Sequence, residues 1–292
     1  MTNGKRSMLK NSVYKTVAFF DAQGIALTLL EIKNYLSAAV SIGEIERTLK
    51  EDLRDQVEYR DGLYFLVGRS DLVSQKKIHF RISLVRFHKA KKYLKFLRHL
   101  PFLRAVAISG SQALLNSAPS SDIDLFIITA QNRIWFARSL VSFYFQLLGQ
   151  RRHGLKISNR FCLNHYLAGD FGINEDRNLY TAVEYVSLIP VLGQDTMDEF
   201  WRSNTWISEF IPQARFETKA GFFGFQFSIA QKIFEKLLDY TIAGMLNRVL
   251  GLYQKQRIRR QEHILVSDRE LSFHPGSRGQ RVLASFQKRL NG

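Results

Sequence analysis

At 292 residues, with 46% apolar and 23% charged residues, the chain has the composition of a folded protein with room for two or three domains. This sets disorder aside. Its 42 Lys and Arg against 26 Asp and Glu leave a formal net charge of +16, which favours polyanionic partners: nucleic acid, nucleotide phosphates or an acidic membrane surface. A single cysteine, Cys162, excludes an internal disulfide and a cysteine-cluster metal site. The polar, basic N-terminus leads into no signal-type core, and no apolar run approaches the ~18 residues of a spanning helix. The expectation is a cytoplasmic protein without stable membrane insertion.

Residues 13–20 predict a short first helix. Thr28 and Glu31 then fit a capping box, followed by Leu29, Ile32 and Leu36 at helical spacing. Ser41 and Glu44 open a second, with Ile45, Leu49 and Leu53 as its apolar stripe. Residues 57–67 alternate around Asp61–Gly62, a hairpin signal because a two-residue turn needs positive φ at both positions. Helices followed by a hairpin is the order of a winged helix-turn-helix, which residues 1–75 resemble in pattern. The would-be recognition helix, 41–53, carries Glu44, Glu46, Glu51 and Asp52 beside Arg47 and Lys50. That is poor for entering a DNA groove, so docking of a protein or substrate stands beside DNA reading. Residues 71–99 predict a long basic helix. Ile78, Ile82 and Val85 mark its apolar face, and His88, Lys89, Lys91, Lys92, Lys95 and Arg98 crowd its end. The charge run suits a solvated face or a grip on nucleic acid or triphosphate.

Residues 105–109 read as a short buried strand, followed by Gly110, Ser111 and a short helical stretch. Glycine lets a phosphate approach the backbone, free N–H groups at a helix start point toward the anion, and Ser111 adds a hydroxyl donor. After a turn-rich loop over 116–121, residues 122–129 read as a strand. Positions i and i+2 of a strand share a face, so Asp122 and Asp124 project together while Ile123 and Leu125 face the other way. Two like carboxylates at the head of a buried strand repel and are costly to desolvate. A divalent cation removes that cost, and hard oxygen ligands suit Mg²⁺.

Gly110–Ser111, ten intervening residues and then Asp122-Ile123-Asp124 on an apolar strand resembles the polymerase-β-type nucleotidyltransferase superfamily over roughly residues 100–190. The resemblance implies an α+β nucleotidyltransferase fold, a short mixed sheet flanked by helices. It implies triphosphate binding at Gly110 and Ser111, and Mg²⁺ or Mn²⁺ held by Asp122 and Asp124 for in-line transfer. The family adds a third carboxylate from a later strand. The strand read here, 160–167, has none, and Asn164 stands in its place. An amide can coordinate a metal through its carbonyl oxygen but cannot act as a base. Alternation puts Cys162, Asn164 and Tyr166 on one face and Phe161, Leu163 and His165 on the other. Asp170, Glu175, Asp176 and Glu184 are later acids that could fold back.

Residues 132–149 predict an aromatic amphipathic helix closed by Gly149. Arg151, Arg152, Lys156 and Arg160 follow in a loop, facing phosphates or water. Residues 200–215, aromatic and broken by Pro212, read as packing between domains. One long helix is expected from about 222 to 263, with Phe227, Phe234, Leu237 and Leu238 inward and Lys255, Arg257, Arg259 and Arg260 at a basic end. Such a helix packs beside the catalytic domain or lies on a membrane. A final helix covers 282–290, and His274 carries no readable chemistry. The domain division is 1–75 winged-helix-like, 76–215 nucleotidyltransferase and 216–292 C-terminal helical. The functional expectation is an Mg²⁺-dependent nucleotidyltransferase acting on a nucleoside triphosphate and a nucleic-acid or other acceptor. The alternative is a non-catalytic nucleotide-sensing or nucleic-acid-binding regulator on a degenerate scaffold.

Overall fold

Both capping boxes form, and they fix the front of the chain. The Thr28 side chain accepts from Glu31 N while the Glu31 carboxylate accepts from Thr28 N at 2.7 Å, opening α2 (Leu29–Tyr35). Ser41 and Glu44 do the same for α3 (Ile42–Arg47), which runs on into a π-helical turn over Thr48–Asp52. The structure, a computed structural model, describes residues 3–169, 171–173, 177–213, 223–258, 265–273 and 277–291. The first helix, α1, spans Asn3–Asp21, longer than the sequence predicted, with Leu9 continuing the buried stripe of Val13 and Val17 upstream. β1 (Val57–Arg60) and β2 (Leu63–Leu66) pair as an antiparallel hairpin. Its turn has φ +53° at Asp61 and +82° at Gly62, the positive pair a tight hairpin needs.

The 24-residue α4 (Asp71–Leu94) matches the predicted long helix, but its apolar face does not. Ile78 and Val85 are exposed, and the inward stripe includes Ser83, Arg86, Phe87, Ala90 and Leu94. Ser83 and Arg86 face inward because they hold the loop that precedes Asp122: Ser83 Oγ accepts from Ser117 N, and Arg86 donates to Pro119 O.

Among the described residues the main sheet has six strands in the order β6-β3-β4-β5-β8-β7. These are β3 (Leu103–Ile108), β4 (Ile123–Thr129), β5 (Phe161–Ala168), β6 (Ile189–Leu192), β7 (Leu265–Val266) and β8 (Glu270–Ser272). β4 and β5 are parallel, joined by α6 (Ile134–Leu147), and the remaining neighbours are antiparallel. Helices flank both faces, so the chain is a mixed α+β protein. On one face Ala105, Ala107, Phe126, Ile128 and Leu167 share a continuous core with α1, with α7 (Leu179–Ser187) and with α8 (Gln194–Ser203). The aromatic stretch at 200–211 fills that core: Trp201 and Trp206 are buried, and α9 (Ile207–Phe210) follows. On the other face Val106, Ile108, Leu125, Ile127 and Tyr166 pack against α4 and α6.

The predicted single helix over 222–263 is two helices, α10 (Ile229–Thr241) and α11 (Ala243–Ile258), parted at Ile242 (φ −142°). Phe234 and Leu237 are not inward but 54% and 62% exposed. Polar bonds set this orientation. Glu235 turns inward to meet Arg104 at 2.8 Å, the Phe102 backbone N–H and Gln231 at 2.7 Å. Asn247 turns inward to α6, whose start has no cap of its own: Asn247 Oδ1 accepts from Trp135 N and Phe136 N, both at 3.1 Å. The last helix, α12 (Ser277–Asn291), packs on α1, with Arg289 reaching Asp21 at 2.6 Å. No described helix is long and apolar enough to cross a membrane. Asp170, Glu175, Asp176, Arg259, Arg260 and His274 lie outside the described residues.

Because Asn247 supplies a cap from a different helix, its loss exposes two buried donors. Asn247→Ala is expected to lower the unfolding free energy by about 1–2 kcal/mol in urea denaturation, whereas Asn247→Asp, which keeps the accepting oxygen, retains most of it.

Candidate cation and phosphate site

β3 delivers the chain to Ser109, whose N–H donates to Asp124 O at 3.0 Å and keeps the strand end paired with β4. Gly110 then turns the chain with φ +62°, and a four-residue helix, α5 (Gly110–Ala113), follows. Glycine is required twice over here. The φ is left-handed, and a Cβ at 110 would lie 2.7 Å from Asp124 Oδ2. The turn therefore presses directly on the Asp124 carboxylate. The intervening loop is pinned: Gln112 Nε2 donates to Ser83 O, Ser117 Oγ donates to Gln112 Oε1, and Asn116 N donates to Ser111 O.

Asp122 stands just before β4 and Asp124 is its second residue, both with little exposure. Their carboxylates and the Cys162 thiol offer ligand atoms within 4.8 Å of one another. Cys162 lies on β5, in register with Asp124. Asn164 is buried, and its Nδ2 donates to Asp124 Oδ1 at 2.7 Å, while its Oδ1 is buried with no hydrogen-bond partner. Gly110, Asp122, Asp124 and Asn164 are thus brought together as the sequence predicted, and Ser111 follows Gly110 at the mouth of an adjoining cleft.

The predicted alternation along β5 fails beyond Asn164. Asp124 pairs with Cys162 but Phe126 with His165, so three β5 residues span two of β4, a β-bulge. Asn164 keeps to Asp124. His165 shifts onto the same sheet face, edge-on to Phe126 at 4.9 Å and 3.2 Å from Glu270 Oε1. Tyr166 turns into the opposite core. The expectation that His165 points away and Tyr166 joins the site is therefore corrected, although Phe126 and Glu270 hold His165 deeper than the carboxylates. An alternating run of residue types carries no mark of an inserted residue.

Arg152 takes a role that the sequence suggested only as part of a basic loop. Its Nη1 donates to Asp122 Oδ2 at 2.6 Å and to Cys162 Sγ at 3.3 Å, so a guanidinium offsets charge at the cluster. Beside the Gly110–Ser111 turn opens a cleft of about 220 Å³, lined also by His79 of α4, Tyr180 and Glu184 of α7 and Arg278 of α12. Glu184, the described member of the four later acids, accepts from Tyr180 OH at 3.3 Å. His79 and Arg278 carried no sequence signal, since helices distant in the chain bring them here.

The donor set fits a divalent cation. Two carboxylates converge, the Asn164 amide stands beside them with its nitrogen turned to Asp124 and its oxygen without a partner, and Arg152, which bonds Asp122, is a half-exposed loop side chain. The thiol would add a softer ligand. Burial first, then the charges of Asp124 and Asp122, push the Cys162 thiol well above its ordinary pKa, against the opposing pull of Arg152. As the thiolate is the nucleophile, alkylation of this single cysteine by iodoacetamide near pH 8 is expected to be at least ~10-fold slower than that of a free thiol, rising with pH without a plateau. Mass spectrometry of timed samples checks this, and Asp122→Asn is expected to speed the reaction.

Comparisons with protein-family models, with curated proteins and with solved structures return no match to this chain.

Proposed function

We propose that the chain is a divalent-cation-dependent nucleotidyltransferase, working in the cytoplasm on a nucleoside triphosphate and a hydroxyl or phosphate acceptor, and built on a nucleotidyltransferase-type sheet. The observation that carries this reading is the convergence of Asp122, Asp124 and Asn164 against the Gly110–Ser111 turn. Asp122 and Asp124 would hold Mg²⁺ or Mn²⁺, with the Asn164 carbonyl oxygen in reach after an amide flip. When bound, the cation neutralises the triphosphate and orients it. Gly110 gives phosphate oxygens access to backbone N–H groups, and the Ser111 hydroxyl donates to them. The acceptor oxygen attacks the α-phosphorus, the bond to the β-phosphate bridging oxygen breaks, and pyrophosphate leaves. Asn164 takes no proton, so the acceptor's proton goes to a substrate phosphate oxygen or to solvent.

The front segment reads as a winged helix used for docking. Its order of helices and hairpin supports the class. Of the acids over 41–53, Glu44 closes the capping box, Glu46 pairs with Lys50, and Glu51 and Asp52 pair with Arg6, so Lys50 is taken up by an ion pair rather than offered to a groove. Gln23, Gly24 and Ile25 border the cleft beside Ser111, which favours a part in holding the acceptor.

Asp122→Asn and Asp124→Asn are expected to weaken Mg²⁺-dependent triphosphate binding by about 10- to 100-fold with the fold intact. Unchanged affinity in both, measured by calorimetry, removes the site assignment. The amide at 164 favours one second reading, a nucleotide sensor without turnover. Triphosphate binding with no pyrophosphate release across a panel of acceptors would select it. If the enzyme reading holds, Asn164→Asp adds a charged ligand and a proton acceptor and is expected to raise pyrophosphate release, since base assistance is worth about 10²–10⁴-fold.

A further inference from the structure

Helices α10 and α11 each give inward positions to polar residues and leave a row of apolar ones outward. A helix on a protein surface ordinarily turns its apolar stripe to the core and its polar residues to water. In α10 the inward stripe is Gln231, Glu235 and Leu238, while Ile229, Ile233 and Phe234 are each more than half exposed. In α11 the buried Asn247, Gly251 and Gln254 lie between the buried Ala243 and Ile258, with Leu246 and Leu250 packed beside them, while Met245, Val249, Leu252 and Tyr253 are each more than half exposed. The inward polar groups are committed: Glu235 to Arg104 and Phe102, Asn247 and Gln254 to the first turn of α6. Gly251 lies against Trp135, where a Cβ would come within 2.8 Å of the ring. Neither helix can roll over to bury its apolar side without breaking these bonds.

Several large apolar side chains exposed along two neighbouring helices mark an interaction surface. Its charge says of what kind. Among the described side chains of the two helices, the exposed charges are Lys232, Lys236, Arg248 and Arg257, all cationic. Lys232 and Lys236 flank Ile233 along the helix. A second copy docked symmetrically on this face would set these cations against their own images, whereas apolar side chains interleaved with lysine and arginine suit the headgroup region of an acidic bilayer.

We propose that the outer faces of α10 and α11 dock the protein reversibly on an anionic lipid surface. The apolar side chains enter the interfacial layer and the four cations meet lipid phosphates. The proposal is independent of the reaction assigned to the Asp122–Asp124 site.

Vesicle flotation of the full chain tests it. Partition is expected into phosphatidylcholine vesicles containing phosphatidylglycerol, with little into phosphatidylcholine alone, and is expected to fall with added salt. Ile233→Asp and Leu252→Asp should each weaken partition about tenfold or more while leaving circular dichroism and melting unchanged. Lys232→Glu with Lys236→Glu, which touches no apolar contact, should weaken it about fivefold or more per residue. Absence of partition into acidic vesicles, equal partition into neutral ones, or partition unaffected by all these substitutions would overturn the proposal. So would a concentration-dependent dimer in sedimentation that Ile233→Asp abolishes, which would assign the face to a second copy.

Discussion

Two carboxylates with little exposure, one residue apart, repel each other, and much of this fold is arranged around them. Asp122 and Asp124 project to one side at the head of a central strand, and burial strengthens their repulsion. The neighbours answer with positive or donating groups: Arg152 on Asp122, and the Asn164 amide on Asp124. Carboxylates held this way are satisfied without a cation; on the proposed reading a cation would take the place of one of these partners. Arg152 would be the one to leave, because its side chain is 43% exposed on a loop whereas Asn164 is buried on a strand.

The scaffold positions the pair from three directions. Strand pairing between β3 and β4 sets the Gly110 turn against Asp124. Helix α4 spends inward positions on Ser83 and Arg86, which fasten the loop before Asp122. The bulge in β5 keeps Asn164 on the Asp124 side while it hands His165 to the Phe126 core. Each device places a polar group by sacrificing a regular pattern, a common bargain near sites.

Local signals were the legible part of the sequence. The capping boxes at Thr28 and Ser41 and the Asp61–Gly62 turn follow from short-range rules, while the meeting of Gly110 with Asp122, Asp124 and Asn164 was legible only through the family resemblance, and the structure has all of them. What stayed hidden depends on contacts far apart in the chain. The inward stripes of α4, α10 and α11 follow hydrogen bonds to distant loops and strand ends rather than hydropathy, so Val85, Phe234 and Leu237 face out against their spacing. The break at Ile242 has no proline or glycine at the position to announce it. Arg152, His79 and Arg278 reach the site from elements that only the folded chain brings near. The hidden bonds also fix the outward apolar residues: with Glu235 and Asn247 committed inward, Ile233, Phe234, Met245 and Leu252 face out.

The central claim is that Asp122 and Asp124 hold a divalent cation over a triphosphate seated at Gly110–Ser111. A crystal structure of the full chain grown with Mn²⁺ and a non-hydrolysable nucleoside triphosphate tests it most directly. The account predicts an anomalous peak about 2.1 Å from a carboxylate oxygen of each aspartate, phosphate oxygens against the Gly110 backbone and Ser111 Oγ, and Arg152 released from Asp122. A nucleotide bound elsewhere, or the Arg152–Asp122 ion pair intact with no ion between the carboxylates, would contradict it.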